Sequence, residues 1–224
     1  MSSILAVGDL HGKIEIAEEL LQDRDQRIIF IGDFLDSFDR TIDDQQALLE
    51  LVLDAVQSRE NVSALIGNHE LSYLEPHYRA SGFNWVLASN LGEKNLGLMQ
   101  KHLDLWIEDE GFLFSHAGMS LRWIPEQERV EPMEYLATAT LPMIYQIGYA
   151  RGGNYPCGGL LWCDYYEEFA PVPGVKQVFG HTARTESDSG IRTEDNENYC
   201  IDCLDRVTEV LEVKDGEAKA RYVF

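Results

Sequence analysis

Ile28-Ile29-Phe30-Ile31-Gly32-Asp33-Phe34-Leu35-Asp36 decides how this chain is read: an apolar run, a glycine that stops it, and two carboxylates just beyond. A β-branched and aromatic run of this length, ended by glycine, reads as a buried strand. The same grammar recurs on both sides. Ile4-Leu5-Ala6-Val7 runs into Gly8-Asp9-Leu10-His11-Gly12, and residues 62–66 run into Gly67-Asn68-His69-Glu70. Phe112-Leu113-Phe114 leads to Ser115-His116-Ala117-Gly118, and Val178-Phe179 leads to Gly180-His181-Thr182. Each polar group thus sits where a strand leaves its sheet, the place where ligands collect in layered α/β folds. Four of the six histidines fall inside these segments.

The stretches between the runs carry helical spacing. Residues 14–21 show it, and residues 43–56 show it more strongly, with Ala47, Leu48, Leu51, Val52 and Ala55 on one face and Asp43 or Asp44 as start signal. Strands alternating with helices predict right-handed crossovers and a mainly parallel sheet. Residues 71–106 read as helix interrupted by Pro76, Gly82, Gly92 and Gly97. Strand patterns at 199–203, 206–213 and 218–224, the last two joined by Lys214-Asp215-Gly216, predict a second, more antiparallel sheet packed on the first. The expectation is one domain over residues 1–224, with an insertion at about 119–160 lying over the site. Its aromatics, Trp123, Tyr135, Tyr145, Tyr149 and Tyr155, read as packing for that cap, with base stacking as the alternative.

Composition narrows the function. Thirty-nine acidic against 18 basic residues give a net charge of −21, a surface that repels a nucleic acid polymer. No apolar stretch reaches the length of a membrane span, so no membrane partner is expected. Met1-Ser2-Ser3 leads straight into the first strand without a leader pattern, which predicts a cytoplasmic protein. The four cysteines, Cys157, Cys163, Cys200 and Cys203, read as reduced, partly buried thiols. Cys200 and Cys203 are three apart on an expected strand and face opposite sides, a poor geometry for sharing zinc.

The motif residues carry a specific chemistry. Asp9 and His11 can converge on one ion as the chain leaves its strand, and Asp33 can bridge two. Asn68 brings an amide oxygen, while His116 and His181 bring imidazoles. Mixed oxygen and nitrogen donors without thiolate suit two transition-metal ions, manganese first, iron or zinc as alternatives. Two such ions about 3.5–4 Å apart acidify a shared water and clamp an in-line displacement at phosphorus. His69 is placed to protonate a leaving alkoxide, and Asp36 to orient it.

Taken in order, GDLHG, GDFLD, GNHE, SHAG and GHT resemble the calcineurin-like metallophosphoesterases, and within them the phosphoprotein phosphatase branch. Leu160-Leu161-Trp162-Cys163-Asp164 and Tyr199-Cys200-Ile201-Asp202 are similar to two later segments of that branch. The resemblance implies a four-layer αββα sandwich with a dinuclear site at the strand ends. It implies Asp9, His11 and Asp33 for one metal, and Asp33, Asn68, His116 and His181 for the other. It also implies His69 as general acid with Asp36 orienting it, and hydrolysis of a phosphoprotein or nucleotide by metal-bound hydroxide. A phosphomonoesterase of the serine/threonine protein phosphatase type comes first. A dinucleoside tetraphosphate or nucleotide hydrolase is the alternative, and a non-catalytic scaffold a third reading. One departure stands out: the branch's phosphate-binding arginine is replaced by Ser37, which leaves Arg40 and Arg151 as candidate clamps.

Overall fold

Strands buried on both faces are written as continuous apolar runs, and five of the runs quoted above become strands. The computed structural model describes residues 3–75, 77–129, 131–183, 190–193 and 195–224. Its first half alternates β1 (Ile4–Val7), α1 (Ile14–Leu21), β2 (Arg27–Phe30), α2 (Ile42–Ser58) and β3 (Val62–Leu65). It continues through α3 (Asn68–Leu74), α4 (Trp85–His102) and β4 (Leu103–Asp104). Next come β5 (Trp106–Asp109), β6 (Phe112–Ser115), α5 (Pro132–Thr138) and α6 (Leu141–Ile144). The chain ends with β7 (Lys176–Phe179), β8 (Asn198–Cys200), β9 (Glu209–Lys214) and β10 (Glu217–Tyr222).

The described residues form a six-stranded sheet, β10-β9-β1-β2-β3-β4, and a four-stranded one, β5-β6-β7-β8. From β1 to β4 the pairing is parallel. Residue parity assigns the layers. Ile4, Ala6, Ile29 and Leu65 share a cluster with Phe112, Phe114 and Val178, the filling between the sheets. Leu5, Val7, Ile28 and Phe30 belong to a second cluster with Leu48, Leu49 and Val52 of α2. The period of two thus sends alternate residues to opposite faces, and a sandwich of two sheets flanked by helices follows.

Three expectations change. The C-terminal hairpin β9–β10 does not build the second sheet; it pairs antiparallel with β1 and widens the first. Its turn is as read, with Asp215 at φ 51° and Gly216 at φ 76°, the two left-handed residues of a tight hairpin. Its place is set by the open edge of β1, information that lies in neither strand. The second sheet is in turn more parallel than expected, since β6–β7 and β7–β8 are both parallel pairs. α2 begins one residue before Asp43, and Thr41 caps it by accepting the Asp44 N–H at 3.1 Å while Asp44 accepts the Thr41 N–H. Its buried face is Leu48, Leu49, Val52 and Leu53, with Ala47 exposed.

In residues 119–160, Trp123 and Tyr135 are buried against each other, edge to face at 5.1 Å. The start of this segment is pinned by the buried Gln177 of β7, whose amide accepts from Met119 N at 2.8 Å and donates to Met119 O at 3.0 Å. Among the described residues no helix is long and apolar enough to cross a membrane.

Candidate metal centre

The segments that follow β1, β2, β3, β6 and β7 bring Asp9, His11, Asp33, Asn68, His69, His116 and His181 to one end of the sandwich, Asn68 and His69 from the first turn of α3. Asp33, 2% exposed, is the hub. Its Oδ1 accepts the His69 N–H at 3.1 Å. Its Oδ2 faces Nε2 of His116 at 3.3 Å and Nε2 of both His11 and His69 at 3.8 Å. Asn68 Oδ1 lies 2.9 Å from His116 Nε2 and 2.8 Å from His181 Nδ1. The Asp9 carboxylate sits beside this group and accepts the His181 N–H at 3.0 Å. Of the donor clusters among the described residues, two lie here, His11/Asp33/His69 and Asp33/His116/His181, sharing Asp33.

The proton positions show what this arrangement suits. His11 Nδ1 lies 2.7 Å from Leu35 O, and His116 Nδ1 lies 3.1 Å from Ile31 O. A carbonyl only accepts, so each Nδ1 carries a proton and each Nε2 faces the Asp33 carboxylate; in the neutral His11 ring that Nε2 is a lone pair. Acceptors facing acceptors in a buried site repel unless a cation lies between them. His181 Nε2 is also buried without a partner among the described residues. These residues therefore fit metal ions, and oxygen plus imidazole donors suit manganese, iron or zinc.

Electrostatics separates the histidines. Burial lowers His11, and burial with the nearby Arg151 charge lowers His181 further, so both rings are neutral. His69 goes the other way. Burial opposes its charge, but Asp33 and the hydrogen bond and charge of Asp36 outweigh it and raise the imidazole to about 9. Asp33 is held well below the usual carboxylate range: burial pushes it up, and His116 and His69 pull it down by more. Asp9 is raised, first by burial and then by Asp202 and Asp33. The His69–Asp36 contact is 3.0 Å, Nδ1 to Oδ2, and Tyr73 donates its hydroxyl to the other Asp36 oxygen.

Backbone strain gathers here. Seven described non-glycine residues have positive φ, and four are His11 (42°), Asp33 (53°), Asp36 (61°) and His181 (68°). Such conformations persist only where the surroundings over-determine them, which is common at functional sites. Two glycines make the room: a Cβ at Gly67 would strike the Asp33 carboxylate, and one at Gly180 would strike Asp9.

Of the arginines, Arg151 lines the cavity over this cluster, with an ion pair to Asp164 at 2.9 Å and a hydrogen bond to Thr182 Oγ1 at 3.0 Å. Its Nε is buried without a partner among the described residues. Arg40 stands apart, paired with Glu15 at 2.6 Å beside a neighbouring cavity. Ser37 Oγ–H donates to Asp39 at 2.8 Å.

Three residues had no role in the sequence reading. Glu70, fully buried, accepts backbone N–H groups from Asp33, Phe34, Leu35 and Gly67. Its place in Gly67-Asn68-His69-Glu70, directly after the apolar residues 64–66, is the available signal. Arg192 donates to the carbonyls of Thr182 and Asp202 and so ties the loop after β7 to that after β8. Glu168 accepts from the N–H groups of Ala150, Gly158 and Asp164 beside the buried thiols Cys157 and Cys163. All four cysteines are buried.

Stacked sheets flanked by helices thus carry, at their strand ends, a buried His/Asp cluster that fits metal ions. The family described as calcineurin-like phosphoesterase matches residues 2–184, and the chain belongs to it. Among solved structures, a cold-active protein-tyrosine phosphatase of a psychrophile, Shewanella sp., superposes with a TM-score of 0.64 at 17% identity, covering 98% of this chain and 80% of that one. A protein serine/threonine phosphatase from Saccharomyces cerevisiae superposes with a TM-score of 0.56 at 18% identity, covering 99% and 80%. At such identities the likeness shows the fold alone. No curated protein sequence matches the chain.

Proposed function

We propose that this chain is a phosphomonoesterase of the serine/threonine protein phosphatase type, a single domain over residues 1–224 with 119–160 as a wall over the site. The observation that carries the reading is the convergence of His11, Asp33, Asn68, His116 and His181 at one end of the sandwich, with His69 held by Asp36 beside them. His11 and Asp33, with Asp9 next to them, would hold one ion, and Asp33, Asn68, His116 and His181 the other. Bound there, two ions supply an acidified water and neutralise charge on the phosphoryl oxygens.

The chain's own residues do the rest. Arg151 offers its unpartnered Nε to a phosphoryl oxygen, in place of an arginine at position 37. Arg40, on its neighbouring wall, meets only the part of the substrate beyond the phosphate. With Asp36 holding Nδ1–H, His69 presents Nε2–H to the leaving oxygen. No side chain is needed as a nucleophile, so no covalent enzyme intermediate forms.

A nucleotide or dinucleoside tetraphosphate hydrolase is the second reading. It is favoured by Tyr149 and Tyr155, exposed by 63% and 49% and flanking Arg151 in sequence, where a base could stack. Phosphate release from manganese-loaded protein is the test, run on a phosphoserine peptide, an aryl phosphate, mononucleotides, a dinucleoside tetraphosphate and an aryl phosphodiester. The phosphomonoesters are expected to lead. A dinucleoside or a diester turned over fastest would displace the reading.

The charge state of His69 gives a second check. Only its protonated form donates, so turnover holds below its pKa and is lost as pH rises through it. Asp36 is one of the charges that raise that pKa. Asp36→Asn is therefore expected to move the alkaline limb of kcat to lower pH, read from a pH–rate profile on an alkyl phosphomonoester. An unmoved limb would show that another group sets it.

A further inference from the structure

A phosphoryl group is held by positive charge, and this chain carries 18 basic residues against 39 acidic ones. Which cations face the cluster therefore decides what binds there. A cavity of about 500 Å³ lies over Asp33 and Asn68, and among the described residues the arginines lining it are Arg151 and Arg79. Arg151 is partly neutralised by Asp164 at 2.9 Å. Arg79 has no carboxylate partner among the described residues. Two rings hold it instead, its Cζ lying 4.5 Å from the centroid of Trp85 and 5.2 Å from that of Phe83. A ring face attracts a cation without neutralising it, so this guanidinium keeps its charge and its N–H donors for an anion.

The rings are themselves anchored beside the cluster. Phe83 stacks on Tyr73 with centroids 4.8 Å apart, and meets Trp85 edge to face at 5.0 Å. Tyr73 donates to Asp36 and accepts the Asn84 N–H at 3.2 Å. Asn84 in turn caps α4, accepting from Val86 N at 2.8 Å. Directly after Arg79, the Ala80 N–H donates to Ser72 Oγ at 2.7 Å, one turn along α3 from Asn68. Gly82, at φ 88°, lets the segment lie against the loop after β2, since a Cβ there would sit 3.2 Å from Asp36 Cβ. Ser37 on that loop brings no charge, and its hydroxyl is engaged by Asp39. Arg79 thus supplies, from the facing segment, the positive charge that Ser37 does not.

We propose that Arg79 is a substrate-binding residue that pairs with the phosphoryl group across the cavity from Arg151, its guanidinium set in place by the rings of Trp85 and Phe83. This deepens the phosphomonoesterase reading and rests on it. A phosphomonoester carries about 1.5 to 2 negative charges at neutral pH. A diester carries a single one and offers fewer free oxygens. Two guanidinium groups facing one phosphoryl group therefore favour the monoester, and Arg79 is the member of the pair whose charge is not already shared with a carboxylate.

Binding is measured first, without turnover, by titrating inorganic phosphate calorimetrically into the manganese-loaded chain. Arg79→Ala is expected to weaken it about tenfold or more, the worth of a hydrogen bond between charged groups. Arg79→Lys keeps the charge but not the fork and should fall between. Trp85→Ala leaves the arginine and removes one ring, and should weaken binding by about two- to fivefold. Trp85 is 66% exposed, so its loss should leave thermal unfolding unmoved. Arg24→Ala removes an equal charge from the loop before β2, at the far end of that strand, and should change nothing. In turnover, Arg79→Ala should raise KM for an alkyl phosphomonoester by about tenfold, and for an aryl phosphodiester by less. Unchanged phosphate binding in Arg79→Ala overturns the proposal, as does an equal loss in Arg24→Ala, which would make the effect one of net charge. Unchanged binding in Trp85→Ala overturns the role given to the rings. If phosphate binding needs Arg79 but the diester is turned over faster than any monoester, the arginine's role stands and the phosphomonoesterase reading falls.

Discussion

Replacing His69 by asparagine is expected to lower kcat on a phosphoserine peptide by about 10²–10⁴-fold, the range for a lost general acid. It should lower kcat on a nitrophenyl phosphate far less. An alkoxide is too basic to leave unprotonated at neutral pH, whereas a nitrophenolate leaves without help. The substitution isolates the proton because the Asp33 carboxylate keeps its contacts with His11 and His116. His69 reaches that oxygen only at 3.8 Å, and asparagine can still donate to Asp36. Metal content, measured in parallel by elemental analysis, should stay at the wild-type value. An equal loss on both substrates would make His69 a positioning residue, and a loss of metal would make it a ligand.

The fold is legible in the sequence where one segment holds all the information. β1, β2 and β3 and the loops after them were legible because strands between two layers must be apolar, and the glycines must admit neighbouring backbone. Gly67 and Gly180 look like punctuation in the sequence. In the fold they are the spaces into which the Asp33 and Asp9 carboxylates fit. The fold is not legible where two distant segments decide the outcome. The Asp215-Gly216 turn identified a hairpin, but only the free edge of β1 says which sheet it joins. Ala47 and Leu49 are both acceptable on a helix face, and the sheet beneath selects Leu49. Arg151 and Arg40 were equivalent as letters. The structure sets one over the cluster and pairs the other with Glu15.

Glu70 shows the same limit, and its replacement has the largest expected effect on stability. Its carboxylate accepts N–H groups from Asp33 at 2.8 Å, Phe34 at 2.9 Å, and Leu35 and Gly67 at 3.1 Å. Those groups belong to the two loops that carry Asp33 and Asn68. Glu70→Ala leaves four buried donors without a partner, at about 1–3 kcal/mol each if nothing replaces the acceptor. Water entering the vacated space offsets part of that, so a loss of roughly 4 kcal/mol is expected. For a chain of this size that lowers Tm by about 8–16 °C. Glu70→Gln should fall between. Its amide oxygen can serve Phe34 and Leu35, while its NH₂ is turned on the N–H groups of Asp33 and Gly67. Both variants should also bind manganese more weakly, by about 10–100-fold, because Asp33 loses the anchor that fixes its left-handed backbone. Thermal unfolding of the metal-free proteins, followed by metal titration, separates the two effects. A Tm within a few degrees of wild type in Glu70→Ala would mean that water replaces the carboxylate and that the two loops hold each other without it.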